Sequence, residues 1–206
     1  MAVRKRRGAS ADASAGRAAP ALAGPIVGRD AELDELSARL DAGARLVTLV
    51  GPPGTGKTTL ALALAQRIGG RSSFVDLTAA RERGQVASAL AAELGLRGAG
   101  HANADDLAAR VAAALARAKR LVVLDNFEQV MSAAGDVERW LAAAPDARFV
   151  VTSRELLRIA GEEALEVAPL SVPHADADAA AILESESVRL LRQRAPRAVL
   201  DADGDL

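Results

Sequence analysis

The 206-residue sequence has no cysteine and no tyrosine, and only two histidines, one tryptophan and three phenylalanines. Without cysteine there is no disulfide framework, no thiolate zinc site and no thiol nucleophile. His101 and His174 stand far apart, which leaves no histidine-rich metal centre. Aromatics make up 2% of the chain, so its core must be assembled from Leu, Val, Ile and methyl groups. Long apolar runs are missing too. The strongest span about five residues, far short of the roughly 20 that a membrane-crossing helix needs. No apolar stretch follows the basic residues at the amino terminus, so they form no secretory signal. The expectation is a soluble cytoplasmic protein.

What is abundant is alanine: 49 residues, nearly half of an apolar fraction of 50%. Alanine has the highest helix propensity, so this composition favours helices. The length suits one domain of ordinary size. Net charge is −1 but uneven, since residues 1–24 carry Arg4, Lys5, Arg6, Arg7 and Arg17 against Asp12 alone. Those residues have almost no large apolar side chains and read as a disordered basic tail. Four clustered charges bind a polyanion weakly at physiological salt, so Arg4–Arg7 is read as a solvated tail or linker. The rest of the chain is net acidic and offers no footprint for direct nucleic-acid binding.

An ordered core is expected over 25–175. Asp30 reads as the cap of a helix with Leu33, Leu36 and Leu40 on one face, ending near Gly43. LVTLV at 46–50 is a short β-rich run. A Gly/Pro loop follows, then a helix from Lys57 with Leu60, Leu64 and Ile68 on one face. Ser73–Leu77 reads as a strand. Val86, Leu90 and Leu94 mark a helix stopped by Gly95, and Leu96–Ala102 reads as a loop. A helix over 104–118 carries Leu107, Val111 and Leu115. LVVLD at 121–125 reads as a buried strand, Ser132–Ala144 as a helix with Val137, Trp140 and Leu141 inward, and Ala147–Thr152 as a strand. Glu163–Val167 reads as a short edge strand and 178–195 as one final helix bearing Ile182, Leu183, Leu190 and Leu191. Alternating strands and helices predict a three-layer αβα fold with a parallel sheet, whose ligand sits beyond the carboxyl ends of the strands.

GPPGTGKT at 51–58 fits the phosphate-loop pattern G-x-x-x-x-G-K-[ST]. Gly51, Gly54 and Gly56 let the backbone turn and approach phosphate oxygens, so that successive N–H groups form an anion nest. The helix beginning at Lys57 adds its positive end. Lys57 can reach the β- and γ-phosphates, and the Thr58 hydroxyl can ligate Mg²⁺. Gly51, Pro52, Pro53, Gly54, Thr55, Gly56, Lys57, Thr58 and Thr59 are thus candidate contacts for ATP or ADP. Lys57 reads as surface-facing, so that its truncation would leave no cavity.

Asp125 ends a buried strand, where a carboxylate can hold Mg²⁺, directly or through water. Alternatively it merely begins a turn with Asn126. Hydrolysis needs a residue to orient the attacking water. Glu128 is the nearest acid, for that role or simply facing solvent at a helix entrance. Arg154 follows the strand that ends at Thr152-Ser153. Its planar fork could bind γ-phosphate oxygens, or it could pair with Glu155 or another surface acid.

Taken together, PIVGRDAELDEL at 25–36, LVTLVGPPGTGKTTLALALA at 46–65, LVVLDNFEQV at 121–130 and FVVTSRELLRIAGEEALEVAPL at 149–170 resemble the STAND class of P-loop ATPases, near the AAA+ and NB-ARC groups. More narrowly they resemble the ATPase module of bacterial LuxR-type and SARP-type transcriptional regulators. The resemblance runs from about 25 to 195 and implies a five-stranded parallel sheet in the order 2-3-4-1-5. It implies that Val27, Gly28 and Arg29 pack on the adenine, although Arg29 could equally be a capping or surface residue. It implies that Thr152, Ser153 and Arg154 form a sensor region. It also implies an ATP/ADP switch with slow Mg²⁺-dependent hydrolysis, Lys57, Asp125, Glu128 and Arg154 carrying the chemistry and Thr58 and Asp125 the metal. Alternative readings are an AAA+-type motor and a truncated core inactive alone. Asn126 stands where related ATPases often carry a second acid. No Gly-Leu-Pro-Leu motif occurs before Leu206, so 176–206 is expected to be a C-terminal helix and tail that start a missing lid, the chain being either a fragment or a shortened gene product without lid and effector domains. Nucleotide-dependent self-association is a further candidate interaction, and no membrane partner is expected.

Overall fold

The computed structural model describes residues 20–22, 24–69, 72–96 and 103–195. Of the expected tail over 1–24, residues 1–19 and 23 lie outside the described residues, as do the loop glycines Gly98 and Gly100 and 196–206. The tail's described end is not free, since Leu22 packs against the core and the Pro20 carbonyl accepts a hydrogen bond from Gln66. Five strands form one parallel sheet: β1 (Leu46–Val50), β2 (Ser72–Asp76), β3 (Arg120–Asp125), β4 (Ala147–Ser153) and β5 (Glu162–Glu166). Their spatial order is β2-β3-β4-β1-β5, with every neighbouring pair parallel. This is the order 2-3-4-1-5 expected, and β4 separates the strand leading into Gly51 from the strand ending at Asp125.

The strands are apolar on both faces because helices cover both. Val122 and Leu124 of β3 join Phe149 and Val151 of β4 beneath α3 (Arg83–Glu93), α4 (Ala104–Leu115) and α5 (Ala134–Ala143). Leu121 and Val123 point the other way, with Val47, Leu49 and Val150, against α1 (Asp30–Asp41) and α2 (Lys57–Ile68). With so few aromatics, Trp140 and Phe149 anchor the first layer, their rings stacked with centroids 6.3 Å apart. The Trp140 indole N–H donates to the Ala108 carbonyl at 3.0 Å and so fastens α5 to α4.

Several local expectations are corrected. Asp30 is the first helical residue rather than the cap; Arg29 holds that position without a side-chain capping bond. Ile68, expected inward on α2, is exposed, as are Gln66 and Arg67 in the same last turn of the helix. The chain after Asp125 enters a 3-10 segment, Phe127–Ala133, before α5 begins. The single final helix is two, α6 (Ala179–Glu184) and α7 (Glu186–Arg194), parted at Ser185, whose ψ of 140° is extended. Neither has a fully buried residue, and Leu183 and Leu191 are exposed. Among the described residues no helix is long and apolar enough to cross a membrane.

Candidate nucleotide-binding site

The candidate site lies at the carboxyl ends of β1, β3 and β4. Gly54 and Gly56 adopt φ of +81° and +91°, the left-handed region that the loop between β1 and α2 requires. At Gly51 the constraint is space: an added Cβ would sit 2.5 Å from the Val167 carbonyl just beyond β5. Gly56 holds the N-cap position of α2, and no side chain caps that helix. Its first N–H groups are therefore donors of the kind that an anion satisfies.

Lys57 is buried, not surface-facing as its sequence context suggests. Its ammonium curls back over the loop and donates to the carbonyls of Gly51, at 2.7 Å, and Pro52, at 2.8 Å. Burial pushes its pKa below the usual lysine value, with the Arg154 charge acting in the same direction and Glu128 and Asp125 opposing.

Thr58, on the first turn of α2, donates its hydroxyl to both oxygens of Asp125, at 2.8 and 3.1 Å. This hydroxyl–carboxylate pair is the hard-oxygen donor set that suits Mg²⁺. Asp125 is also held by Thr152 from β4, whose hydroxyl donates to it at 2.5 Å while accepting the Asn126 backbone N–H at 2.9 Å. Burial raises the pKa of Asp125, opposed by the Thr152 and Thr58 hydrogen bonds and reinforced by the charges of Asp76 and Glu128.

Asn126 adopts φ of +61°, which Asn tolerates better than most residues. Its side-chain amide donates to Asp125 at 3.0 Å and to the Thr78 hydroxyl at 2.9 Å. Asp76 ends β2 in register with Asp125. Hydrogen bonds from Thr78 hold its carboxyl below the usual range. Asp76 and Thr78 belong to this cluster yet were not singled out from the sequence. The one available signal was an Asp at a strand end, which any strand exit can carry.

Glu128 and Arg154 meet as an ion pair, the guanidinium Nε donating to Oε1 at 3.2 Å. Glu128 is therefore not solvent-facing, and its second oxygen is buried without a hydrogen-bond partner. Arg154 pairs with this acid rather than with Glu155. At the other end of the loop, Arg29 is buried and donates to the carbonyls of Thr55 and Ala168. That corrects any surface reading of Arg29. Val27 and Gly28 lie beside it, Gly28 at φ +66°, with the Glu186 carboxylate where a Cβ would be. Pro52, Pro53 and Gly54 are exposed at the loop tip, and Thr59 is half-buried in the first turn of α2.

A sequence profile described as an AAA domain matches residues 40–161. The chain belongs to this AAA domain family. Among solved structures, this AAA domain is similar to the Orc1 protein of Aeropyrum pernix, solved in complex with DNA, with a TM-score of 0.58 and 20% identity over 84% of this chain and 56% of that one. It is similar to Cdc6p of Pyrobaculum aerophilum, with a TM-score of 0.59 and 19% identity over 74% of this chain and 48% of that one. A signal transduction ATPase with a tetratricopeptide repeat sensor from Pyrococcus horikoshii also matches, at 17% identity over 88% of this chain and 27% of that one, with a TM-score of 0.49. The AAA domain thus spans about half the length of the first two relatives, and at these identities the likeness concerns the fold. No curated protein matches the chain.

Proposed function

We propose that this AAA domain is a nucleotide-dependent switch that binds ATP and ADP with Mg²⁺, hydrolyses ATP slowly, and serves a signalling or transcription-regulating protein. The observation that carries the reading is the Glu128–Arg154 pair, 3.2 Å apart, with both charges acting on the phosphate-loop lysine. ATP has a terminal phosphate to compete for Arg154 and ADP has none, so the two nucleotides meet the pair differently. A switch needs such a difference. Thr58 and Asp125 would hold the Mg²⁺, which neutralises charge on the phosphates and orients them. Val27 and Gly28 are assigned to the base end of the nucleotide.

Slow turnover follows from the residues around Asp125. Asn126 cannot act as a base, and its amide is spent on Asp125 and Thr78. Glu128, whose charge acts on the loop lysine, is engaged by Arg154. Steady-state turnover at saturating Mg²⁺-ATP is the test. A switch should fall far below about 1 s⁻¹, whereas a motor acting on a macromolecule should reach the ordinary enzyme range. The regulatory setting rests on the resemblance of DNFEQV and TSRE to such modules. It is tested by whether the reading frame continues into a Gly-Leu-Pro-Leu segment and a helix-turn-helix.

A further inference from the structure

Arg29 is a cation in a costly place, almost fully buried behind the phosphate loop. Its guanidinium joins three segments that are distant in sequence. It pairs with Glu32 on the first turn of α1 and donates to the Thr55 carbonyl inside the loop at 2.8 Å. It also donates to the Ala168 carbonyl beyond β5 at 2.6 Å. Its Nε lies 3.9 Å from the place a Cβ on Gly56 would take.

In a planar trans peptide the carbonyl and the following N–H point in opposite directions. Holding the Thr55 carbonyl toward Arg29 therefore turns the Gly56 N–H to the other side of the Thr55–Gly56 peptide. We propose that Arg29 is a positioning residue for phosphate: it fixes this peptide so that the Gly56 N–H faces the phosphates, adds positive potential behind the loop, and does not contact the base. The proposal rests on the nucleotide-binding reading above and replaces the adenine contact that resemblance alone assigns to this arginine. Glu32, 24% exposed at the start of α1, pairs directly with Arg29 and so reduces the positive potential that reaches the loop.

Competition binding of Mg²⁺-ATP and Mg²⁺-tripolyphosphate, which has no base, separates the two roles. Arg29→Ala should weaken both ligands by a common factor of about tenfold, the scale of one lost charge-assisted hydrogen bond. Arg29→Lys keeps the charge but lacks the planar fork whose Nη2 holds both carbonyls while Nη1 holds Glu32, and should recover part of that factor for both ligands. If Arg29→Ala does not fold, Arg29→Lys carries the test alone, with a common loss of roughly threefold or more expected for the fork. Loss of ATP affinity with tripolyphosphate unchanged makes Arg29 a base contact and overturns the proposal. Unchanged affinity for both in a folded variant overturns it as well, leaving Arg29 a stabilising residue only. Lys57→Ala is the control. If it loses binding while both Arg29 variants keep theirs, this proposal alone fails. If the wild-type protein binds neither ligand, the nucleotide reading and this proposal fail together.

Discussion

The hydroxyl of Thr152 donates to the Asp125 carboxylate and accepts the backbone N–H of Asn126, so one side chain of β4 fixes both the acid at the end of β3 and the turn that follows. Thr152→Val keeps the shape and removes both bonds. It leaves the Asn126 N–H without its partner, at a cost of about 1–3 kcal/mol. Denaturant unfolding should show that loss, and Mg²⁺-dependent ATP binding should weaken with it.

Arg154→Ala should weaken a non-hydrolysable ATP analogue by about tenfold and ADP by much less. An arginine–phosphate contact can be worth more, but the Arg154 side chain is 58% exposed and therefore screened. Glu128→Gln removes its competitor and should tighten the ATP analogue while leaving ADP unchanged. Calorimetry on both variants checks this. Equal loss of the two nucleotides on Arg154→Ala would make the arginine a general electrostatic residue.

Lys57→Ala should remove most affinity for ATP and ADP. Because the lysine is buried against Gly51 and Pro52, truncation also leaves two carbonyls without their donor. The desolvated charge disappears at the same time, so the melting temperature should move little. Nucleotide affinity equal to the wild type in a titration would sink the phosphate-loop assignment.

Asp125→Asn should abolish the Mg²⁺ dependence of nucleotide binding while sparing most metal-free binding. In the wild type the pH dependence follows from the raised pKa of Asp125. Magnesium needs the ionised carboxylate. Its contribution is therefore present above the folded pKa and is lost as pH falls through it, at a higher pH than for an ordinary aspartate. In stability the sign is opposite: a raised pKa favours the folded state below the unfolded value, and that advantage is lost as pH rises through the folded pKa. Mg²⁺ titrations at stepped pH test the first statement, and metal-free melts of the wild type against Asp125→Asn test the second.

Trp140→Ala should destabilise the fold by about 3–5 kcal/mol, with nucleotide affinity unaffected in the folded fraction. The indole is buried between α4, α5 and the sheet, on the face away from the phosphate loop.

The strands and the phosphate loop were legible because their signals are local, whereas the strand order came from the family resemblance alone. LVVLD and LVTLV are apolar runs flanked by turn residues, and GPPGTGKT carries its chemistry in eight consecutive positions. What escaped reading depends on where side chains meet in space. Lys57 looks surface-facing until its ammonium is seen folded onto its own loop. Arg29 sits in a capping context, yet its partners are Thr55 and Ala168, 26 and 139 residues away. Asp76 acquires meaning only because β2 pairs with β3 in a register that sets it beside Asp125. The break at Ser185 was hidden because Ile182, Leu183, Leu190 and Leu191 keep helical spacing across it.

Helices α6 and α7 are fastened by polar contacts: Asp178 caps α6, Ser171 and Glu186 exchange backbone and side-chain bonds, and Gln193 reaches the Pro25 carbonyl. With no fully buried side chain in either helix, little apolar surface must be uncovered to open them. Their amide hydrogens should exchange with deuterium well before those of β3 and β4, which open only when both core layers come apart. The sheet would still carry its label-free amides after the carboxyl-terminal helices had taken theirs up.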